Sequence, residues 1–547
     1  MIEHLIYPNN TSISLTAGQQ CARDGAERFV EQLFSLFYIL SPSATTYDSP
    51  YQVPDYEVAL IPAIGLLMIL EQIFRFFQHK QFSRFPDFVV NVGSSLIFTL
   101  ARVFLLTVVI NIFIWLYDNY RIVDLPLHSV WTWLLSLLLV EFVYYWTHRA
   151  LHEFNILWAA HQFHHMAEDI NITTTIRDSI VDLVIYDIFP LPLAIIIPPP
   201  ILVVHIQFSL IYQIWLHNEV VGNLGFIEYV INTPRQHRVH HGKNPYCIDK
   251  NYGALIMIWD RLFGTYQSET DPIVFGVVSP TPKTFDPMIL QFGYYRDLWS
   301  KFCTVQGFGN KMSALFKGPG WAPGKPRLGL ISDVPEPDRS LPKYSYDPYI
   351  PFWKLVYIGF HGSFLVLGFF LLADHPYVRY SPMKGFIGML YIIFILTSFG
   401  AIFDNRKYAP LLEICRCLTY LPFDYYLIAT VHWSIGPNEQ LLLAITLWMA
   451  RLMHVLSVVF WLIYQLVLCT AIGNNRSSSS SANNHEYVMA AKVDKDVESD
   501  TSSMMARNRC LTIFILFTIL LGVIVFLTAW LSRLESCTQM LNEWKFS

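Results

Sequence analysis

The sequence predicts an all-α fold, a polytopic bundle of transmembrane helices. Of its 547 residues, 53% are hydrophobic and only 14% are charged, whereas soluble proteins carry roughly 25% charged residues. The apolar residues fall in continuous blocks rather than at the spacing of an amphipathic helix. A block of about 20 apolar residues is long enough to cross a bilayer as a helix. A membrane protein is therefore the default interpretation.

Apolar stretches of this length recur along the whole chain. The longest, Ile180–Leu216, is interrupted by Pro198, Pro199 and Pro200. Because proline breaks a helix, this stretch predicts two helices or a re-entrant hairpin. The other candidate spans are Val58–Phe77, Phe88–Tyr117, Ser129–Trp146, Pro351–Ala373, Phe386–Phe403, Tyr408–Ile428, Leu441–Leu468 and Leu511–Leu531.

Changes in composition divide the chain into six parts. The stretch after Trp259 is polar and rich in proline and glycine, and the serine run Ser477–Ser481 lies in a stretch that cannot bury a core. We expect a lumenal N-terminal segment with an interfacial helix (1–57), a transmembrane core (58–264), an extramembrane linker (265–350), C-terminal transmembrane helices (351–469), a disordered serine-rich tether (470–510), and an extra transmembrane helix with a tail (511–547).

Basic residues predict the orientation, because cytoplasmic loops are enriched in lysine and arginine. One basic set follows the first predicted helix and another flanks the histidines described below, and two helices separate the sets. Both sets therefore belong on the cytosolic side, with a lumenal N-terminus. The two sets are Arg75, Lys80 and Arg84, and Arg149, Arg177, Arg235, Arg238, Lys243 and Lys250.

Charge and cysteine usage exclude other classes of protein. The formal net charge is −5 and no long basic run occurs, so no nucleic-acid partner is indicated. The cysteines are scattered without a CxxC pair, which gives neither a disulfide framework nor a cysteine metal site.

Histidines form the most specific pattern in the sequence. The first pair is His148 and His152, four residues apart, and two triplets and the single His217 follow. Residues i, i+3 and i+4 share one face of a helix, so each group presents several ring nitrogens together. The triplets are His161, His164 and His165, and His237, His240 and His241.

This number of imidazoles predicts a cytosol-facing site for two metal ions. Zinc takes four ligands and leaves the rest unused, so two ions that share the rings fit better. Imidazole also suits iron, copper and nickel, and ligand type alone does not name the metal. If the site oxidises a C–H bond of a lipid, iron is the metal that fits best, since a ferrous pair can bind and split dioxygen. Taken singly, His217 and His205 fit a satisfied interfacial histidine equally well.

Carboxylates near these histidines are candidates for orienting the rings. Glu141 lies seven residues before His148 inside an apolar run, and Asp182 and Asp187 lie in the next apolar stretch. Carboxylates within a membrane usually face a functional interior, where they can accept a hydrogen bond from an imidazole. For both aspartates, an interfacial carboxylate in contact with water is an equally good interpretation.

At these histidines the sequence resembles the fatty acid hydroxylase superfamily, and within it the alkylglycerol monooxygenase family. The likeness is carried by THRALHEFNILWAAHQFHHMAEDINITTTIRDS and NTPRQHRVHHGKNPYCIDKNYGALIMIWDRLFGTY, together with LFYILSPSATTYDSPYQVPDYE near the N-terminus. It runs from about Leu33 to about Leu468 and leaves the serine-rich tether and the last helix unexplained. Residues 58–264 then form the fatty acid hydroxylase catalytic core.

The resemblance implies a function. Such enzymes reside in the endoplasmic reticulum membrane and use dioxygen, iron and tetrahydrobiopterin. They hydroxylate the ether-bearing carbon of an alkylglycerol, and the product collapses to a fatty aldehyde and a glycerol derivative. Glu153 matches a position associated with pterin use, and His217 matches an additional family histidine. The residues that match the iron-binding, catalytic boxes are His148, His152, His161, His164, His165, His237, His240 and His241.

Two other functions remain open from the sequence. A sterol or fatty acyl hydroxylase or desaturase of the same superfamily would take its electrons from cytochrome b5, although no fused HPGG haem motif occurs. A metal-binding membrane transporter would also use many helices and polar intramembrane residues. Clustering of histidines at one interface, rather than along a path through the membrane, argues against transport.

Overall fold

The computed structural model describes residues 30–373, 382–430 and 437–478. Within these ranges the fold is helical, with two isolated β-bridges and no strand, which confirms the predicted all-α class. The helices are α1 (Tyr56–Ala59), α2 (Ile61–Phe77), α3 (Phe85–Tyr120), α4 (Val130–Glu153), α5 (Asn155–His165), α6 (Ile180–Ile188), α7 (Pro199–Tyr212), α8 (Pro234–His240), α9 (Ile258–Leu262), α10 (Pro287–Thr304), α11 (Phe308–Phe316), α12 (Phe352–Ala373), α13 (Pro382–Phe403), α14 (Ala409–Thr430) and α15 (Pro437–Ser478).

Six helical segments of the described chain are long and apolar enough to cross a membrane, and a seventh follows if α3, which bends by 47°, is counted as one span. The protein is therefore a multi-pass membrane protein. The six segments are Pro50–Phe77, Val130–Glu153, Pro199–Leu216, Phe352–Phe370, Met383–Phe403 and Ala444–Val467.

The proline-interrupted stretch forms two helices, α6 and α7, and Pro199 lies at the start of α7, where its missing N–H is tolerated. The predicted span Tyr408–Ile428 forms a helix, α14, but this helix is not among the segments apolar enough to cross a membrane. Three charged side chains, Glu413, Arg416 and Asp424, lie along it.

Residues 265–350, predicted as a linker, contain two helices that pack on the rest of the molecule. Helix α10 packs against α5 and α13, and α11 packs against α5. The start of α5 is bound directly, since the Asn155 N–H donates to the carbonyl of Lys317 at 2.8 Å and its side chain donates to the carbonyl of Ala314 at 3.0 Å. This segment therefore fixes a helix that carries three histidines.

Helix α15 runs to Ser478, nine residues into the tether (470–510) expected to be disordered. The rest of the tether and the last predicted helix, Leu511–Leu531, lie outside the described residues, as do residues 1–29.

Candidate metal centre

The nine predicted histidines meet in one buried region. His148 and His152 lie at the C-terminal end of α4, and His217 follows a short 3-10 turn, Gln213–Leu216, after α7. The triplets lie on α5 and at the end of α8. Helix α8 is only seven residues long and is held at its start by a capping box of Thr233 and Gln236. Each of the nine side chains is buried.

Their ring nitrogens form two groups, and within each group the potential ligand atoms lie within 4.8 Å of one another. We call these the five-histidine group and the four-histidine group. The five-histidine group is His148, His152, His161, His165 and His240; the four-histidine group is His164, His217, His237 and His241.

The grouping follows helix geometry. On α5 the i, i+4 pair His161 and His165 joins the five-histidine group, whereas His164 reaches the other group. On α8 the arrangement is reversed, because His237 and His241 join the four-histidine group and His240 joins the five. Positions i and i+4 are displaced by only about 40° around a helix, whereas adjacent residues diverge by about 100°. Each triplet therefore serves both groups.

Hydrogen bonds at Nδ1 leave Nε2 bare in three of these rings. His148, His217 and His240 donate from Nδ1 to the carbonyls of Tyr252 (2.8 Å), Gln213 (2.8 Å) and Lys250 (2.9 Å). A neutral imidazole carries a single N–H, so its Nε2 is then a lone pair. The Nε2 of His240 has no partner, and the Nε2 of His217 lies within 3.1 Å of three other Nε2 atoms. Converging lone pairs repel unless a cation lies between them.

The nitrogen separations indicate the coordination geometry that would fit. Two nitrogens on one tetrahedral ion at about 2.1 Å lie roughly 3.4 Å apart. Adjacent nitrogens around an octahedral ion lie roughly 3.0 Å apart. Four of the six Nε2 separations in the four-histidine group are 2.8, 3.0, 3.1 and 3.1 Å. These four separations are closer to the octahedral value than to the tetrahedral one.

Burial keeps six of these rings uncharged. Loss of solvent is the largest cause, and it lowers the pKa of His240 to about 3 and the pKa of His217 to about 4. For four further rings, burial followed by repulsion from neighbouring imidazoles lowers the pKa well below the usual 6.5. These are His164, His165, His237 and His241. These six rings are therefore neutral at pH 7, the form in which imidazole binds a metal.

Three carboxylates face three of the six remaining Nδ1 atoms. Asp182, which the sequence indicated, has an oxygen 3.8 Å from Nδ1 of His161. Asp178 and Asp249, which sequence reasoning missed, lie 3.7 Å from His164 and His152. Asp249 stands in a run of turn-forming residues, Asp249 to Gly253, and that composition was the available signal.

The other predicted orienting residues have different roles. Glu141 does not contact an imidazole, because its oxygens accept from the Ser209 hydroxyl (2.7 Å) and the backbone N–H groups of Leu255 (2.7 Å) and Ile256 (3.1 Å). It thereby joins α4 to the start of α9. Asp187 interacts with Arg102 rather than with a histidine.

Glu153, the residue associated with pterin, is buried at the end of α4. Its carboxylate accepts from the guanidinium of Arg149 at 2.7 Å and from that of Arg327 at 2.5 Å. The second contact comes from the segment predicted as a linker, which therefore reaches the edge of the metal centre.

A small apolar cavity of about 30 Å³ lies beside the histidines, between α4, α6 and α7. Tyr144 connects it to both groups. Its ring packs on that of His148 with centroids 5.5 Å apart. Its hydroxyl donates to the side-chain oxygen of Gln213 (2.7 Å), and the backbone carbonyl of Gln213 accepts from Nδ1 of His217. The cavity is lined by Val140, Tyr144, Thr147, Tyr186, Pro190, Leu193, Ile206, Ser209 and Leu210.

A third set of potential ligands, His361, Glu413 and Cys417, lies among the C-terminal helices. Arg416 fills this set, because it pairs with Glu413 and donates to Nδ1 of His361 at 2.9 Å. The Nε2 of His361 is bonded to Ser457 at 2.9 Å. With a guanidinium in place and both nitrogens of His361 engaged, this cluster is a satisfied ion-pair network rather than a metal site.

Comparison with known proteins agrees with this geometry. Residues 133–265 match the fatty acid hydroxylase family, and residues 356–435 match the alkylglycerol monooxygenase C-terminal domain. The alkylglycerol monooxygenase of Homo sapiens is 39% identical to the chain, covering 71% of it and 86% of the human protein. Those of Xenopus tropicalis and Danio rerio are 40% and 37% identical, covering 72% and 74% of this chain and 87% and 94% of their own length. No solved structure matches this chain.

The matched stretch of the hydroxylase family holds all nine histidines, and the matched C-terminal domain holds His361, Glu413 and Arg416. Relatives that are 37–40% identical over 86–94% of their own length establish common descent rather than a shared motif. The chain belongs to the alkylglycerol monooxygenase family.

Proposed function

We propose that the protein hydroxylates the ether-linked carbon of alkylglycerols, giving a fatty aldehyde and a glycerol derivative, with dioxygen, two iron ions and tetrahydrobiopterin. Its family makes it a monooxygenase. The observation that carries the proposal is the convergence of nine buried imidazoles in two groups beside an apolar cavity.

The nine histidines are proposed as the iron ligands, one group for each ion. Iron held there would supply activation of dioxygen, with two electrons from the pterin and the second oxygen atom released as water. The chain's own contribution is to keep the rings neutral and oriented. The carbonyls of Tyr252, Gln213 and Lys250 hold three rings with Nε2 facing inward.

The alkyl tail of the substrate is proposed to enter between α4, α6 and α7, where these helices would have to part around the small cavity to admit it. The lining is almost entirely apolar, so a hydrocarbon chain is favoured there and water is excluded. Tyr144 stands where the cavity meets the histidines. A tail held between these helices would leave its polar end, with the ether carbon, beside the rings.

Narrowing this cavity is expected to change the preferred chain length. In Ile206→Phe the added ring occupies volume that a long tail needs, so kcat/KM should fall about tenfold or more for long-chain alkylglycerols and much less for short ones. Liquid chromatography of aldehydes from substrates of graded chain length measures this. Ile188→Phe, at a residue that is 54% exposed and does not line the cavity, is the matched control. An equal loss at every chain length would contradict the assignment.

The electron donor separates this proposal from the sterol or acyl alternative. Purified protein in membranes should turn over when tetrahydrobiopterin is supplied, and it should not turn over when NADH and cytochrome b5 are supplied instead.

Glu153→Gln should raise KM for the pterin more than KM for the lipid, because Glu153 is proposed to lie at the pterin site. Activity that survives strict pterin depletion would count against this function.

We propose the endoplasmic reticulum membrane as the location, with the metal centre facing the cytosol and within reach of a soluble pterin. Arg149, Arg235 and Lys250 flank the histidines in the sequence, as expected for the cytosolic side of a membrane protein. The division into a catalytic core (58–264), a linker (265–350) and C-terminal helices (351–469) is part of the same proposal.

A further inference from the structure

A four-residue loop between α8 and α9 contacts three rings of the five-histidine group. The carbonyl of Lys250 accepts from Nδ1 of His240 (2.9 Å), and the carbonyl of Tyr252 accepts from Nδ1 of His148 (2.8 Å). An oxygen of Asp249 lies 3.7 Å from Nδ1 of His152. We call residues 249–252 the orienting loop.

The backbone of this loop has an uncommon conformation. Asp249 and Asn251 have φ of 57° and 56°, in the left-handed region that residues with a Cβ rarely adopt. Asparagine and aspartate tolerate it better than other residues do. A disfavoured conformation persists only where surrounding contacts fix it, and it is frequent at functional sites.

The side chain of Asn251 supplies those contacts. It is fully buried, and its Nδ2 donates to the carbonyls of Gln236 on α8 (3.0 Å) and Gln267 (2.7 Å). Its Oδ1 accepts from the N–H of Gln267 at 2.8 Å. Beyond it, Asp260 accepts from the N–H groups of Tyr252 and Gly253, both at 2.8 Å. The loop is thus attached to the helix that carries His240.

We propose that the orienting loop sets the five-histidine group, with Asn251 as its positioning residue. Asn251 acts through the carbonyls on either side of it, which fix the tautomer and the rotation of His240 and His148. The inference rests on the proposed iron site, since it concerns how firmly that site holds its ion. Partners that orient metal-bound imidazoles change metal affinity by roughly 10–100-fold when removed.

The test is iron release from the full-length protein in detergent, measured with a chelator and without substrate. Asn251→Gly retains the left-handed backbone but loses the three side-chain contacts. We expect about tenfold faster iron release, while the melting temperature of the iron-free variant stays near that of the iron-free parent. Asn405→Gly is the matched control, because Asn405 is also left-handed (φ 52°) and donates to a carbonyl, that of Tyr349 (2.9 Å), on the C-terminal side of the chain. Its iron release should be unchanged.

Asp249→Asn is the second variant, because the Asp249 side chain is partly exposed and the substitution preserves its shape. We expect a smaller acceleration of iron release in the same direction, so this variant decides the matter if Asn251→Gly does not fold. Folded variants that both release iron at the parental rate would overturn the role of the loop and leave the proposed function intact. A parent protein that binds no iron would overturn the proposed function itself.

Discussion

We expect His164→Ala to abolish aldehyde formation from an alkylglycerol and to lower bound iron from two ions per chain to one or none. This is the expected result if the four-histidine group holds one ion, because the variant removes one of only four ring nitrogens. Removal of a metal ligand should reduce activity more than removal of a residue that only orients a ligand, so we expect activity to fall by about 100-fold or more. Product mass spectrometry and metal analysis of the same purified sample measure both effects.

The control is another histidine that contacts neither group. His128→Ala changes an exposed side chain, 72% accessible, that pairs only with Asp48 on the surface. Its iron content and turnover should equal those of the parent. A folded His164→Ala protein with full iron content and normal turnover would contradict the proposal that the four-histidine group binds an iron ion.

The second large effect concerns stability and lies far from the metal centre. Arg416 pairs with Glu413 and donates to His361 (2.9 Å) and His454 (3.2 Å), while Tyr357 and Ser398 donate to the same carboxylate. These side chains come from α12, α13, α14 and α15, and all except the half-buried Tyr357 are buried. The network therefore joins four helices of the C-terminal region.

Arg416→Met should lower the free energy of unfolding by roughly 3–5 kcal/mol, because it leaves the Glu413 carboxylate buried without its cation. The double variant Arg416→Met/Glu413→Leu should recover much of that loss, since it removes both charges. Thermal unfolding in detergent, followed by intrinsic fluorescence, measures the difference.

An exposed ion pair serves as the comparison. Lys325 and Asp333 lie 2.8 Å apart with side chains 37% and 45% accessible, so Lys325→Met should cost less than about 1 kcal/mol. Equal destabilisation by Arg416→Met and Lys325→Met would refute a special role for the buried network.

The sequence predicts much of the helical fold and of the histidine site. Apolar length predicted the helices around the histidines, and spacing of three and four residues predicted that the rings converge. The same spacing also explains why each triplet is divided between two groups. His161 and His165 are about one helical turn apart and share a face, whereas His164 lies on a different face and reaches the four-histidine group. That division becomes visible only when the partner helices are placed.

Other features depend on contacts between distant parts of the chain. Composition made residues 265–350 a linker, because proline, glycine and charge dominate there, but Ala314, Lys317 and Arg327 bind helices of the metal centre. Glu141 looked like a partner for an imidazole because it shares a helix face with His148, yet two backbone N–H groups near Leu255 take its carboxylate. Which donor reaches a buried oxygen is decided by tertiary packing.

The reciprocal sharing of α5 and α8 has a consequence for assembly. If His161 and His165 bind one ion, the turn that carries His164 would be immobilised as well, and α8 would transmit the same restraint through His240 to His237. The entropic cost of ordering the second set of ligands is then largely met before its ion arrives. Iron uptake by metal-free protein should be positively cooperative, and native mass spectrometry during a titration should find few singly loaded molecules.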